Sequence, residues 1–149
     1  FGRSRRGISP VISTIIIVAV AIAISIAVAF WLGGITAIFT RFEKLEITSA
    51  YATVGSSSDT WDIKISVKNT GTSDATITDI FINNIPYADY GAQVSLDVDL
   101  PVSLATGESI DITITVKSDT DYTFTAGQSV TITIHTAAGQ DYPKTVALP

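Results

Sequence analysis

The sequence predicts an α+β protein: one long apolar α-helix toward the N-terminal end, followed by an antiparallel β-sandwich head. Two observations predict it. No charged residue occurs from Gly7 to Thr40, a run of 34 positions. After that run, apolar residues alternate with Thr, Ser and Asp at period 2, in short stretches separated by turn residues. A half-buried strand alternates in this way, and a succession of such strands closes into a sandwich.

The elements are taken in chain order. Arg3, Arg5 and Arg6 precede the apolar run, and no Lys or Arg follows until Arg41. Basic residues stay on the cytoplasmic side when a segment inserts into a membrane, so the head is expected to face outward. Residues 1–7 are read as a basic N-terminal segment, 8–44 as a hydrophobic helix and 45–149 as the head. A helix of about 20 apolar residues crosses a bilayer. Thirty-four residues reach about 51 Å at about 1.5 Å each, against about 30 Å of hydrocarbon. The excess must tilt, protrude or be covered by other protein. The apolar core of a secretory signal is only about 7–15 residues, so this longer run is read as retained.

The stretch AVAIAISIAVA also alternates large with small residues, and Ile and Val favour strands. A lone strand in lipid would leave its backbone groups unsatisfied at several kcal/mol each, so helix prevails. Pro10 falls near the start, where a helix tolerates it. Gly33 and Gly34 offer a kink. Ala19, Ala23 and Ala27 form one row at i, i+4 spacing, and Ala21, Ser25 and Ala29 form a second. Such rows let helices approach closely when every neighbour is apolar. With Ala19, Ala23 and Ala27, the residues Ile8, Pro10, Ile12, Ile16, Phe30, Trp31, Ile35 and Phe39 are the candidate polymerisation positions. The run holds 18 Ile, Val, Leu, Phe and Trp residues. At about 1.5–3 kcal/mol each, withdrawing them from water is worth about 27–54 kcal/mol gross. This helix needs lipid or copies of itself around it.

The segment RRGISPVISTIIIVAVAIA resembles the N-terminal region of archaeal type IV pilins. The matching features are the basic–Gly junction Arg6-Gly7, the start Ile8-Ser9-Pro10-Val11-Ile12 and the long Ile/Val/Ala helix, over about the first 40 residues. The resemblance implies a membrane-inserted precursor, cut by a prepilin peptidase and then polymerised by the pilus assembly machinery into an extracellular filament with the helices at its core. The family-type cut falls between Gly7 and Ile8. A mature subunit beginning at Phe1 is expected instead, and it would keep the arginines, which then need carboxylates or solvent. The intact mass of the purified protein separates the two. Archaellum subunits usually carry an acid soon after the start and no Pro there. This chain has Pro10 and no acid before Glu43, which favours a pilus over an archaellum. The Glu usual near the mature start of bacterial type IV pilins is absent too.

In the head, Trp61, Ile63, Ile65 and Val67 share one strand face. So do Val94, Leu96, Val98 and Leu100; Ile110, Ile112, Ile114 and Val116; and Val130, Ile132 and Ile134. Less regular runs cover Leu45–Tyr51, Thr76–Asn83 and Thr145–Leu148, which makes seven expected strands. Turns are expected at Asn69-Thr70-Gly71, Ala105-Thr106-Gly107, Ala126-Gly127 and Ala137-Ala138-Gly139. The segments SVKNTGTSDATI and LATGESIDITITV resemble immunoglobulin-like domains of archaeal surface proteins, so the sandwich is expected to be immunoglobulin-like. Without Cys, its stability must come from packing and assembly.

Chemistry is thinly signalled. His135 is the sole histidine and is expected on the outward face of a strand. Asp97 and Asp99 share a strand face and Asp119 and Asp121 flank a turn, without the spacing of a calcium loop. No G-x-S-x-G and no phosphate-cradling glycine loop occurs. Tyr87 and Tyr90 are expected to pack on their own domain. The net charge of −5, nearly all of its acid in the head, excludes nucleic acid as a partner. No catalytic residue, metal or cofactor is expected. The expected function is that of a structural pilus subunit for adhesion and surface attachment. A membrane-anchored monomeric binding domain and an archaellum-type motility subunit remain as alternatives.

Overall fold

Ser4–Phe39 forms one α-helix, α1, and the computed structural model describes residues 4–149, with side chains placed from Ser9 onward. The basic cluster Arg3, Arg5 and Arg6 and the junction at Gly7 and Ile8 lie outside what is described, apart from the helical backbone over 4–8. Because α1 begins ahead of Ile8, Pro10 stands inside the helix rather than in its first turn. There it withholds one N–H from the intrahelical ladder. Gly33 and Gly34 do not interrupt the helix, which continues through both to Phe39.

The chain divides into two compact units, Phe1–Arg41 and Phe42–Pro149. The division falls three residues ahead of the boundary that composition places after Lys44. The reason is backbone pairing within the second unit. The Phe42 carbonyl accepts from Thr72 N at 2.9 Å and Ser73 N at 3.2 Å, and the Lys44 carbonyl accepts from Thr70 N at 2.9 Å and Gly71 N at 3.1 Å.

The second unit is an antiparallel sandwich of two sheets. Its strands are β1 (Leu45–Val54), β2 (Thr60–Asn69), β3 (Ala75–Ile82), β4 (Ile85–Pro86), β5 (Val94–Leu96), β6 (Val102–Leu104), β7 (Ser109–Lys117), β8 (Ser129–Thr136) and β9 (Asp141–Ala147). One sheet has the order β1-β2-β7-β5; the other has β4-β3-β8-β9, with β6 also paired to β3. The facing sides supply the core. Ile63, Ile65 and Val67 of β2 and Ile112, Ile114 and Val116 of β7 meet Ile77, Ile80 and Ile82 of β3 and Val130, Ile132 and Ile134 of β8. Period-2 alternation in β2, β7 and β8 therefore reads directly as inside and outside.

Three strand expectations change. The Val94–Leu100 run is a strand only to Leu96. Beyond it, Asp97 N still donates to the Thr113 carbonyl at 3.2 Å, but the return bond from Thr113 N goes to Asp97 Oδ1 at 2.8 Å, so a side chain takes the place of a backbone acceptor and the ladder ends. The chain then crosses to the other sheet, and Val98 and Leu100 keep their alternation because both still lean on the core. β4 and β6 are too short to leave a periodic signal. β4 is joined to β3 through Asn83 and Asn84, both at positive φ (50° and 66°), the conformation a two-residue hairpin turn demands. The segment after Pro86 is a 3-10 helix, Tyr87–Gln93.

Candidate functional site

From Ser9 to Phe39 the helix offers 31 residues, with a mean hydropathy of 3.0 over its most apolar stretch, long and apolar enough to cross a membrane. That length and composition fit a membrane anchor or a signal segment. In the isolated chain every side chain of this stretch is exposed except Ile35, which is partly covered. Pro10, Ile12, Ile16, Ala19, Ala23, Ala27, Phe30, Trp31 and Phe39 all lie on the exposed surface, as do Ala21, Ser25 and Ala29. No face of the helix is polar, so no face is marked for water.

Four of its hydroxyls are consumed internally. Ser13 Oγ donates to the Ser9 carbonyl at 2.8 Å, and Thr14 Oγ1 to that of Pro10 at 2.8 Å. Ser25 Oγ donates to Ala21 at 2.7 Å and Thr36 Oγ1 to Leu32 at 2.8 Å. Each bond reaches back four residues. A hydroxyl satisfied in this way carries little penalty into an apolar environment. Ser25 can therefore belong to a small-residue row without breaking its apolar character.

The minor candidates resolve as follows. His135 is half-buried, and its Nδ1 lies 2.6 Å from Asp141 Oδ1 across the β8–β9 pair. Phe81 meets the imidazole edge-on with centroids 5.7 Å apart. Asp119 Oδ1 accepts from Thr120 N at 2.8 Å, a local turn bond. Among the described residues, no three His, Cys, Asp or Glu gather closely enough to hold a metal ion. Tyr90 is buried; its hydroxyl donates to the Ile82 carbonyl at 2.8 Å and its ring lies 4.4 Å from that of Tyr122. Burial pushes the Tyr90 hydroxyl above the usual tyrosine range, and the charge of nearby Tyr122 adds to the shift.

Asn69 is a structural centre that the sequence showed only as a turn residue. It is fully buried, and its Nδ2 donates to Ser73 O at 2.9 Å and Leu104 O at 3.0 Å while its Oδ1 accepts Gly71 N at 3.0 Å. One side chain thus joins β2, the 70–73 turn and β6. No local pattern marks such a residue, because its bond to Leu104 is settled only when β6 is brought beside it.

No family model and no curated protein matches the chain. Among solved structures, one described as a copper-bound PCuAC domain from PmoF2 aligns with 72% of this chain and 97% of its own, at 9% identity and a TM-score of 0.47. That likeness is too distant to carry a function across.

Proposed function

We propose that this chain is the structural subunit of an extracellular archaeal type IV pilus, polymerising through its N-terminal helix for adhesion and surface attachment. The observation that carries the reading is the helix. It is apolar around its whole circumference, the hydroxyls of Ser13, Thr14, Ser25 and Thr36 are back-bonded, and its 31 residues reach about 46 Å, past the roughly 30 Å of a bilayer core. Before assembly such a helix rests in the membrane. In the filament, copies of it bury one another, with the Ala19–Ala23–Ala27 and Ala21–Ser25–Ala29 rows as sites of close approach. The head forms the outer layer and no chemistry is required of it.

The finer assignment of the head as immunoglobulin-like is supported by strand order. One sheet runs β1-β2-β7-β5 and the other contains β3-β8-β9 with β4 added outside β3. In chain order these correspond to the two sheets of a constant-type immunoglobulin domain plus two short extra strands, β4 and β6, both paired to β3.

The test is a charge in the helix. An Ala23→Asp subunit should fold its head and yet give no filaments in negative-stain images of sheared cell surfaces. Normal filaments from that variant would count heavily against the reading. Native protein found only as single detergent-extracted molecules, with no fibre on any cell, would favour a membrane-anchored monomer.

A further inference from the structure

The second unit carries a cleft of about 290 Å³ between the β3–β4 turn and the loop joining β7 to β8. Asn83 comes from the turn, and Asp121, Tyr122, Phe124 and Gln128 come from the loop. The pairing of β3 with β8 brings the two segments together, since Ile82 stands opposite Ile132. The volume falls just short of the range of about 300–1,000 Å³ typical of drug-sized ligand sites, room for a single small unit.

The loop is held in place by its own bonds. The Tyr122 carbonyl accepts from Asp119 N at 3.0 Å and from the buried Gln93 Nε2 at 3.0 Å. Phe124 is buried, and its N donates to Ser118 Oγ at 3.0 Å. The ring of Tyr90 packs beneath, with its centroid 4.4 Å from that of Tyr122 and 6.0 Å from that of Phe124. A site whose walls are already ordered loses little freedom when a ligand enters.

Both amides are oriented by the backbone. Asn83 Oδ1 accepts Thr131 N at 3.0 Å, and Gln128 Oε1 accepts Thr125 N at 3.0 Å. In a carboxamide only the oxygen accepts, so the terminal NH2 of each amide is left as a donor. The Asp121 carboxylate, itself exposed, takes no hydrogen bond within the described residues. The cleft therefore presents two fixed amide donors, one charged acceptor and a half-buried tyrosine ring. It holds no Lys or Arg, so an anion would meet Asp121 uncompensated.

We propose that this cleft binds a neutral saccharide unit, its hydroxyls bridging Asn83 Nδ2, Gln128 Nε2 and the Asp121 carboxylate and its apolar face against Tyr122. A sugar is the ligand class that needs donors, acceptors and an apolar surface within so small a volume. Adjacent hydroxyls both donate and accept, and the ring C–H face packs on an aromatic. The site belongs to the sandwich alone and stands whether or not the chain polymerises.

The test uses the full chain in micelles of a detergent without a sugar headgroup. It is titrated with maltotetraose, cellotetraose, mannotetraose and chitotetraose while ligand saturation-transfer signals and tyrosine fluorescence are followed. At least one oligomer should bind saturably, and Asp121→Ala and Tyr122→Ala should each weaken it about tenfold or more. Tyr122→Phe should retain most of the affinity. Asp121 has no partner to lose, so its variant reports binding without loss of fold. Absence of saturable binding by all four oligomers would overturn the proposal. So would unchanged affinity in Asp121→Ala, or equal binding of a sulfated oligosaccharide.

Discussion

Thr48 and Thr78 occupy equivalent places in the two sheets. Each is the extra residue of a bulge, Thr48 in the β1–β2 pair and Thr78 in the β3–β8 pair. Each donates its hydroxyl to a carbonyl of the partner strand, Thr48 Oγ1 to Ser66 O at 3.2 Å and Thr78 Oγ1 to His135 O at 3.3 Å. The bulge moves the inward positions from i+2 to i+3, so Ile77 and Ile80 both reach the core. In β1 the same step separates Ile47 from Ala50. Replacing either Thr by Val keeps the shape and removes the hydroxyl. Each change should cost about 0.5–1 kcal/mol, and because the sites lie in different sheets the two costs should add. Thermal unfolding of the full chain in micelles, followed by Trp61 fluorescence in a Trp31→Phe background, measures this.

Asn69→Ala should be far more costly. It strips the carbonyls of Ser73 and Leu104 of their side-chain donor, while Gly71 N keeps its bond to the Lys44 carbonyl. At about 1–3 kcal/mol for a buried polar group left unpaired, a loss of about 3 kcal/mol or more is expected. Asn69→Asp keeps the acceptor and loses both donors, so it should not rescue. The same unfolding measurement decides, and a loss below that of Thr78→Val would refute the central role given to Asn69.

Gly71 is required by space rather than by φ. A Cβ there would lie 2.5 Å from the Phe42 carbonyl oxygen and 2.6 Å from Lys44 N, both backbone atoms that cannot swing aside. Gly71→Ala should destabilise the sandwich by about 1–3 kcal/mol through this overlap. It should also speed amide exchange at Thr70 to Ser73, whose N–H groups bond the 42–44 segment. Hydrogen exchange at those amides is the specific readout.

Tyr90 sets an alkaline limit. Its folded pKa is raised, first by burial and then by Tyr122, whereas an unfolded tyrosine ionises near about 10. The folded state thus holds the proton more tightly, and this contribution is fully present below about pH 10. It is lost as pH rises through the raised value. Stability should fall more steeply above about pH 10 in the natural chain than in Tyr90→Phe. That variant should be weaker at neutral pH, where it lacks the bond to the Ile82 carbonyl. Denaturation midpoints from pH 7 to 11 test the crossing of the two curves.

Ala23→Ile separates two environments for the helix. Ile is as apolar as lipid requires, so insertion into the membrane should be unchanged. In a close helix contact the added bulk has no room, and overpacking of about 1–3 kcal/mol should cut filament yield about tenfold. Equal filament counts from the variant and the natural chain would show that this row faces no neighbour.

The helix and the β2, β7 and β8 faces are legible in the sequence because each follows from a local property. Charge is absent from Gly7 to Thr40, and apolar residues recur at every second position from Trp61 to Val67, Ile110 to Val116 and Val130 to Ile134. Hydropathy needs no partner to be read. The bulges at Thr48 and Thr78, the crossing after Leu96, the hub at Asn69 and the cleft that gathers Asn83 with Asp121 and Gln128 were decided only by tertiary structure. Each depends on which strand lies beside which, a choice made by two distant segments burying apolar surface together. A single segment, read alone, carries no record of its neighbour.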